Sequence, residues 1–263
     1  MPRFRFPDST CIVTGASSGI GRCLAEQLFA QGANVVAVAR RRQRLEELQM
    51  LETDTSAPGK IFPVAADLTV PRDRQRVCET ALDCGGGTID LLVNNAGVGA
   101  VGRFDEAGED RLRQVFEIDF FAAVELTRLC LVGLKRSRQG TICNIGSVLG
   151  HRAVPEKSEY SAAKFAIHGW SDALRAELAK DGVNVLLISP STTRTEFFDS
   201  LVDTDADAQS KSIGSWSPQR VAKATLRAIQ RRKRERILSL GGKALVYADR
   251  VAPGLMDWVL KSR

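Results

Sequence analysis

Seven short runs of apolar, largely β-branched residues punctuate the chain, near CIVTG, NVVAVA, IFPVAA, DLLVNN, TICNIG, NVLLIS and RILSL. Helical periodicity fills the intervals near 19–31, 42–51, 71–83, 108–137, 159–180 and 217–232. Such alternation is the pattern of βαβ units, in which each strand is returned to a parallel sheet by a crossover helix. Several runs are apolar almost throughout, as strands must be when helices cover both faces of the sheet. No Pro/Ser/Gly-rich linker or shift in composition divides the 263 residues. The expected fold is therefore one doubly wound α/β domain, a seven-stranded mainly parallel sheet in three α/β/α layers. It spans residues 1–240, with 241–263 a helical extension packed on the same domain.

Residues 192–217 break the alternation. They are rich in Ser, Thr and Asp, with Phe197, Phe198 and Leu201 as apolar anchors, and they follow a strand end, where open α/β sheets bind ligands. A long irregular segment there reads as a substrate lid. In the extension, Leu245, Ala248, Ala252, Leu255 and Val259 fall at helical spacing, interrupted at Pro253-Gly254. Such a stripe suits a core cap or a subunit contact better than attachment to a membrane surface.

Composition excludes several classes. The residues are 44% hydrophobic and 26% charged, typical of a soluble globular protein. The opening MPRFRFPDST has no apolar core of a secretory signal, and no window is apolar enough to span a bilayer. A cytoplasmic protein without membrane insertion is the expectation. The six cysteines form no C-x-x-C pair and lie mostly in apolar stretches, against a disulfide framework or a zinc site. With only His151 and His168 present, no His-rich metal cluster is expected. The net charge of +6 is concentrated in Arg40–Arg44 and Arg231–Arg236. Without aromatic interleaving or a recognition motif, these runs read as solvated helix ends rather than a nucleic-acid surface.

The chemistry-bearing motifs lie at strand ends. TGASSGIG, Thr14 to Gly21, joins the first strand to the first helix. Glycines at 15, 19 and 21 permit a tight turn and let a pyrophosphate approach N–H groups at a helix N-terminus. At the end of the second strand, Arg40 stands where an NAD-specific protein presents a carboxylate to the ribose. Its guanidinium suits a 2′-phosphate, which favours NADP(H). Asp67 follows the third strand, and Asn94-Asn95-Ala96-Gly97 follows the fourth. Tyr160 and Lys164 are four residues apart in a helical pattern and so share one face. An ammonium beside a phenol favours the phenolate, which would make Tyr160 a usable proton carrier. Ser147, at the end of the fifth strand, offers a hydroxyl to a substrate oxygen.

TGASSGIG, Asp67, NNAG, Ser147 and YSAAK, in this order and spacing, resemble the classical short-chain dehydrogenase/reductase family over roughly residues 8 to 240. The resemblance implies a Rossmann-like domain, a nicotinamide cofactor and reversible hydride transfer between a carbonyl and an alcohol. It implies Tyr160 as acid/base, Lys164 on the nicotinamide ribose and Ser147 orienting the substrate oxygen. The glycine turn, Gly15, Ser17, Ser18, Gly19, Ile20 and Gly21, would hold pyrophosphate. Asp67 and Leu68 would meet the adenine, and Asn94, Ala96 and Gly97 the adenosine side. Pro190, Thr193 and Thr195 would lie by the carboxamide and phosphates. Family members commonly pair the helices here at 108–137 and 158–180, so a homodimer or homotetramer is expected.

Two positions depart from the family's pattern. Asp119 replaces the asparagine of its proton relay; it keeps a backbone carbonyl, but its side chain accepts only when ionised. Ser191 follows Pro190 where the family has glycine, with some loss of backbone freedom. The reaction implied is reduction of a ketone or aldehyde by NADPH, the substrate being a small-molecule carbonyl or alcohol with an apolar body. Val148, Leu149, Val154, Phe197 and Phe198 suggest such a pocket. The rival reading is a non-catalytic NADP(H)-binding sensor or scaffold.

Overall fold

The computed structural model describes residues 2–54, 58–193, 196, 201–203 and 216–261. The chain runs through β1 (Thr10–Thr14), α1 (Gly19–Ala30), β2 (Asn34–Ala39), α2 (Arg42–Gln49), α3 (Leu51–Asp54), β3 (Lys60–Ala65) and α4 (Pro71–Cys84). It continues with β4 (Leu91–Asn94), α5 (Glu109–Phe116), α6 (Ala122–Arg136), β5 (Thr141–Ile145), α7 (Ser158–Glu177) and β6 (Asn184–Ser189). Then come α8 (Pro218–Gln230), β7 (Glu235–Ile237), α9 (Leu240–Val251) and α10 (Pro253–Lys261).

All seven expected strands form, in the order β3-β2-β1-β4-β5-β6-β7, and every neighbouring pair is parallel. Successive side chains of a strand face opposite sides, so each strand feeds two cores. Cys11, Val13, Val35 and Ala37 pack with Leu24, Leu28, Val221 and Leu226 of α1 and α8. Ile12, Val36, Leu92, Ile142 and Val185 pack with Val77, Leu126 and Leu174 of α4, α6 and α7. The result is a doubly wound Rossmann-like fold whose strand order reverses between β1 and β4, which opens a crevice at the carboxyl ends of the strands. Five of the six cysteines are buried and all six are free thiols. No helix among the described residues is long and apolar enough to cross a membrane.

The single helix expected over 108–137 is three pieces. Between α5 and α6 the backbone makes a π-helical turn over Glu117–Phe121. Such turns insert an extra residue and re-aim a side chain, and they concentrate at functional sites. Here the re-aimed group is Asp119, whose side chain is wholly buried.

The expected stripe in the extension shifts as well. The chain breaks at Ala252 between α9 and α10, and Pro253 opens the new helix, a position where its missing N–H costs nothing. Val246, not Leu245 or Ala248, is the buried anchor of α9, packed with Val148 and Ile237. Leu240, Val251, Leu255 and Trp258 remain exposed. A Cβ on Gly242 would meet Val148 Cγ1 at 2.7 Å, so the start of α9 lies directly on the turn that follows β5.

Candidate active site

A cleft of about 1590 Å³ opens along the carboxyl ends of the strands. Its floor at one end is the glycine turn. Gly15 adopts φ +68° and Gly19 φ +56°, conformations in which a side chain is strained. Gly15, Ser17, Ser18, Gly19 and Ile20 line the cleft. Gly21 does not; a Cβ there would meet Gly15 O at 2.3 Å, so its part is to let α1 pack against the turn. Ser18 caps α1 without a side-chain hydrogen bond to the helix, which leaves the first-turn N–H groups to an anion.

Beside this turn stand two guanidinium groups. Arg40 is exposed on the cleft wall. Arg41, which the sequence did not distinguish from its neighbours, donates to Ser17 Oγ from Nε at 3.2 Å and from Nη2 at 3.0 Å. It also pairs with Glu196 at 2.9 Å, and Arg44 reaches the same carboxylate at 3.8 Å. Asp67 accepts from the N–H of Thr69 at 3.0 Å and from its hydroxyl at 2.8 Å. The Thr69 N–H leads in holding that carboxyl below its ordinary range, with a smaller contribution from the Arg40 charge. Leu68, Ala96 and Gly97 line the same wall.

Asn94 is placed differently from the expectation. Its amide donates to Thr127 Oγ1 at 3.0 Å and to Asn144 Oδ1 at 2.8 Å, inside the layer between sheet and α6. Its side chain therefore faces away from the cleft. Asn95 lines the cleft instead, with Nδ2 donating to Thr14 O at 2.8 Å. Alternation along an extended strand gives the two asparagines opposite faces.

At the other end, Ser147 follows β5 and caps a short 3₁₀ turn, Val148–Gly150, by accepting from Leu149 N at 3.1 Å. Tyr160, near the start of α7, shares this end of the cleft, and the Ser147 hydroxyl makes a small contribution that lowers its pKa. One turn further on, Lys164 Nζ lies 5.4 Å from the centre of the Tyr160 ring. The same ammonium is 2.9 Å from Asp119 Oδ2, and both side chains are buried. Asp119 Oδ1 accepts from Val98 N at 2.7 Å. Asp119 is thus absent from the cleft wall and stands behind Lys164.

Lys164 lowers the Tyr160 pKa as expected, but other contributions outweigh it. Burial pushes the phenol up; Lys164 pulls it down, but Asp119 adds to the rise, and the phenol ends above its ordinary value. For Lys164, burial favours the neutral amine, yet Asp119 and Tyr160 outweigh it and hold the ammonium above its ordinary value. Burial likewise raises Asp119 against the pull of Lys164 and the Val98 N–H. Asp119 therefore opposes the field that the ammonium exerts on the phenol.

Pro190, Ser191 and Thr193 lie along the cleft, with Thr193 Oγ1 donating to Ser191 O at 3.2 Å. Val148, Leu149, Val154, Leu201, Leu245 and Leu260 supply apolar lining. Thr195, Phe197 and Phe198 fall outside the described residues, as does most of the expected lid. The glycine turn, the basic wall and the polar far end fit the phosphates, ribose and nicotinamide of a dinucleotide.

A nucleotide-binding α/β fold with a Ser-Tyr-Lys group at one end of its cleft defines a dehydrogenase class. The family model for short chain dehydrogenase matches residues 9–206, and the chain belongs to that family of oxidoreductases. It is 34% identical over 262 residues to Dehydrogenase/reductase SDR family protein 7-like of Anopheles gambiae, covering 96% of this chain and 82% of that one. It is also 34% identical over 258 residues to ketoacyl reductase HetN of Nostoc sp., covering 96% and 88%. Among solved structures, a short-chain dehydrogenase from Sphingobium yanoikuyae in complex with NADPH superposes with a TM-score of 0.79 at 30% identity, covering 95% of each chain.

Proposed function

We propose that the protein reduces a ketone or aldehyde with NADPH, with Tyr160 as the proton donor to the substrate oxygen. The observation that carries this reading is that Ser147, Tyr160 and Lys164 line one end of the cleft together, with the Lys164 ammonium 5.4 Å from the centre of the phenol ring. A phenol held above its ordinary value keeps its proton at neutral pH, which suits an acid delivering that proton as a carbonyl becomes an alcohol. Ser147 donates to the same oxygen as negative charge develops there, a preorganised partner that gains strength as charge grows. Lys164, anchored by Asp119, holds the ribose and keeps a positive charge under the ring. The bound nicotinamide supplies the hydride.

Arg40 and Arg41, which follow the β2 end and line the cleft, support a preference for the 2′-phosphate of NADP(H) over the free hydroxyl of NAD(H). The NADPH in the Sphingobium relative points the same way. The apolar lining supports a substrate with a hydrophobic body, and the ketoacyl reductase relative is consistent with such a carbonyl. We assign residues 1–240 to one catalytic domain with 192–217 as its lid, and 241–263 to a helical extension packed on the same domain. Exposed Phe121, Leu129, Val132 and Phe165 on the π turn, α6 and α7 support pairing of two copies through these helices.

The test is a panel of carbonyls and alcohols assayed with both cofactors, for the parent and for Tyr160→Phe. The expected result is reduction that prefers NADPH and falls roughly 10²–10⁴-fold in Tyr160→Phe, with cofactor binding kept. Undiminished reduction by Tyr160→Phe would overturn the role of the phenol. Tight NADPH binding with no turnover across the panel would favour the sensor reading instead.

A further inference from the structure

At the end of the 3₁₀ turn, three side chains far apart in sequence converge. His151 follows the turn, His168 lies one helical turn beyond Lys164 on α7, and Glu235 opens β7. One ligand atom from each lies within 4.8 Å of the others. His151 is almost wholly buried, with 1% of its side chain exposed, and its Nδ1 has no hydrogen-bond partner. The two imidazole centres are 4.4 Å apart.

The geometry around the three side chains favours metal ligation. His168 Nδ1 lies 3.1 Å from Gly150 O, an acceptor, so this nitrogen carries the proton and Nε2 presents a lone pair. A backbone carbonyl fixing the far nitrogen is the usual outer-shell support of a metal-binding histidine. His151 Nε2 is 3.1 Å from Glu235 Oε1, close to the roughly 3.3 Å that separates two ligands of a tetrahedral zinc ion. Two such electron-rich atoms at this distance need a cation between them, either a proton or a metal ion. Ser189 Oγ, 3.0 Å from the same nitrogen, and Asp172 Oδ2, 3.7 Å from His168 Nε2, are the competing partners. Asp172 is itself held by Arg175 at 2.5 Å, which leaves His168 the freer of the two.

We propose that His151, His168 and Glu235 form a binding site for a divalent transition metal of the zinc class, clamping the turn after β5 to α7 and β7. Two imidazoles and one carboxylate are donors of the right softness for zinc, cobalt or nickel, with a fourth position open to water. Glu235 and His168 are 26% and 19% exposed, so the ion has a route in from solvent. The clamp would hold the turn that carries Ser147 against the helix that carries Tyr160. It stands on these three residues alone and holds whether or not the catalytic roles above do.

Cobalt(II) titrated into untagged, chelator-treated protein tests this directly, because tetrahedral cobalt absorbs in the visible. One equivalent should produce that band, and zinc should displace it and raise the melting temperature. His168→Gln and Glu235→Gln, both at partly exposed positions, should each weaken binding ~100-fold or more and abolish the zinc-dependent rise, with metal-free melting little changed. No band at one equivalent would overturn the proposal and leave a hydrogen-bonded His–Glu pair. So would a band that both substitutions leave unaltered, since the ion would then sit elsewhere, for example on a thiol. If either variant melts early without metal, absorption-edge spectroscopy of the cobalt-loaded parent decides: two imidazoles in the shell support the site, and sulfur overturns it.

Discussion

Replacing Asp119 with asparagine keeps the shape of the side chain and its acceptor for the Val98 N–H but removes the charge. Asp119 and Lys164 are 2% and 6% exposed and 2.9 Å apart. At an effective dielectric of about 20 their attraction is roughly 6 kcal/mol, much of it offset by the desolvation both groups have suffered. Removing one partner of such a pair costs about 3–5 kcal/mol, because the other charge is left buried. The retained amide oxygen can still face the ammonium, which places Asp119→Asn near 3 kcal/mol. For a chain of this size that corresponds to a drop of roughly 6–12 °C in melting temperature. Kinetics should move too. Asp119 raises the Tyr160 pKa, so without it the phenol ionises at lower pH. Alcohol oxidation, which needs the phenolate, should then begin its rise at lower pH, and carbonyl reduction, which needs the phenol, should begin its fall at lower pH. Urea unfolding and pH–rate profiles in both directions measure the two effects. Stability within about 0.5 kcal/mol of the parent, together with unmoved pH limbs, would refute the buried pair and the account of the phenol built on it.

Three further substitutions probe neighbouring features. Arg40→Ala and Arg41→Ala should each remove a charge-assisted contact of about 1.5–3 kcal/mol, raising KM for NADPH roughly 10–100-fold and leaving NADH nearly untouched; equal losses with both cofactors would show that neither guanidinium meets a 2′-phosphate. Arg111 donates to Glu159 Oε1 at 2.9 and 2.6 Å, both side chains 3% exposed, and ties α5 to the residue before Tyr160. Burial alone would raise the Glu159 carboxyl, but hydrogen bonds from Ser158 and Arg111 outweigh it and hold it below its ordinary value. The stability this provides is complete above the unfolded value, about 4.3, and is lost as pH falls through the depressed folded one. Glu159→Gln should therefore cost about 3–5 kcal/mol at pH 7, a gap that narrows in acid; urea unfolding at pH 7 and pH 3 giving the same gap would contradict the assignment.

The strands were legible because a parallel strand covered on both faces has no polar side to hide it. β1, TCIVT, and β6, NVLLIS, read as apolar runs bounded by turn residues, and they form where expected. What the sequence could not convey were reversals of facing between adjacent residues. Asn94 and Asn95 differ only in which side of an extended backbone they occupy, and that is set by register with Thr14. Arg40 and Arg41 are equally basic, and the positions of Ser17 Oγ and Glu196 distinguish them. Asp119 lies in a segment whose periodicity reads as one helix; the π turn that buries it leaves no mark on a 3.6-residue pattern. The convergence of His151, His168 and Glu235 needs β7 to be laid beside β6, a pairing that no local signal announces.

These reversals alter the chemistry expected of the site. A lysine one turn from a tyrosine suggests a base made strong by a bare cation, a device suited to taking a proton from an alcohol. With Asp119 tethered to Val98 and paired to that lysine, the cation is anchored but partly neutralised, and the phenol keeps its proton. Anchoring and neutralising come from the same carboxylate and cannot be tuned apart by it. A protein built this way gains a rigidly placed ammonium under the ring at the expense of phenolate, and that exchange favours proton donation. The asparagine usual in the family would release the field and tilt the same residues toward proton abstraction. The pH at which the phenol changes state is thus set in part behind the lysine, by a carboxylate that does not line the cleft.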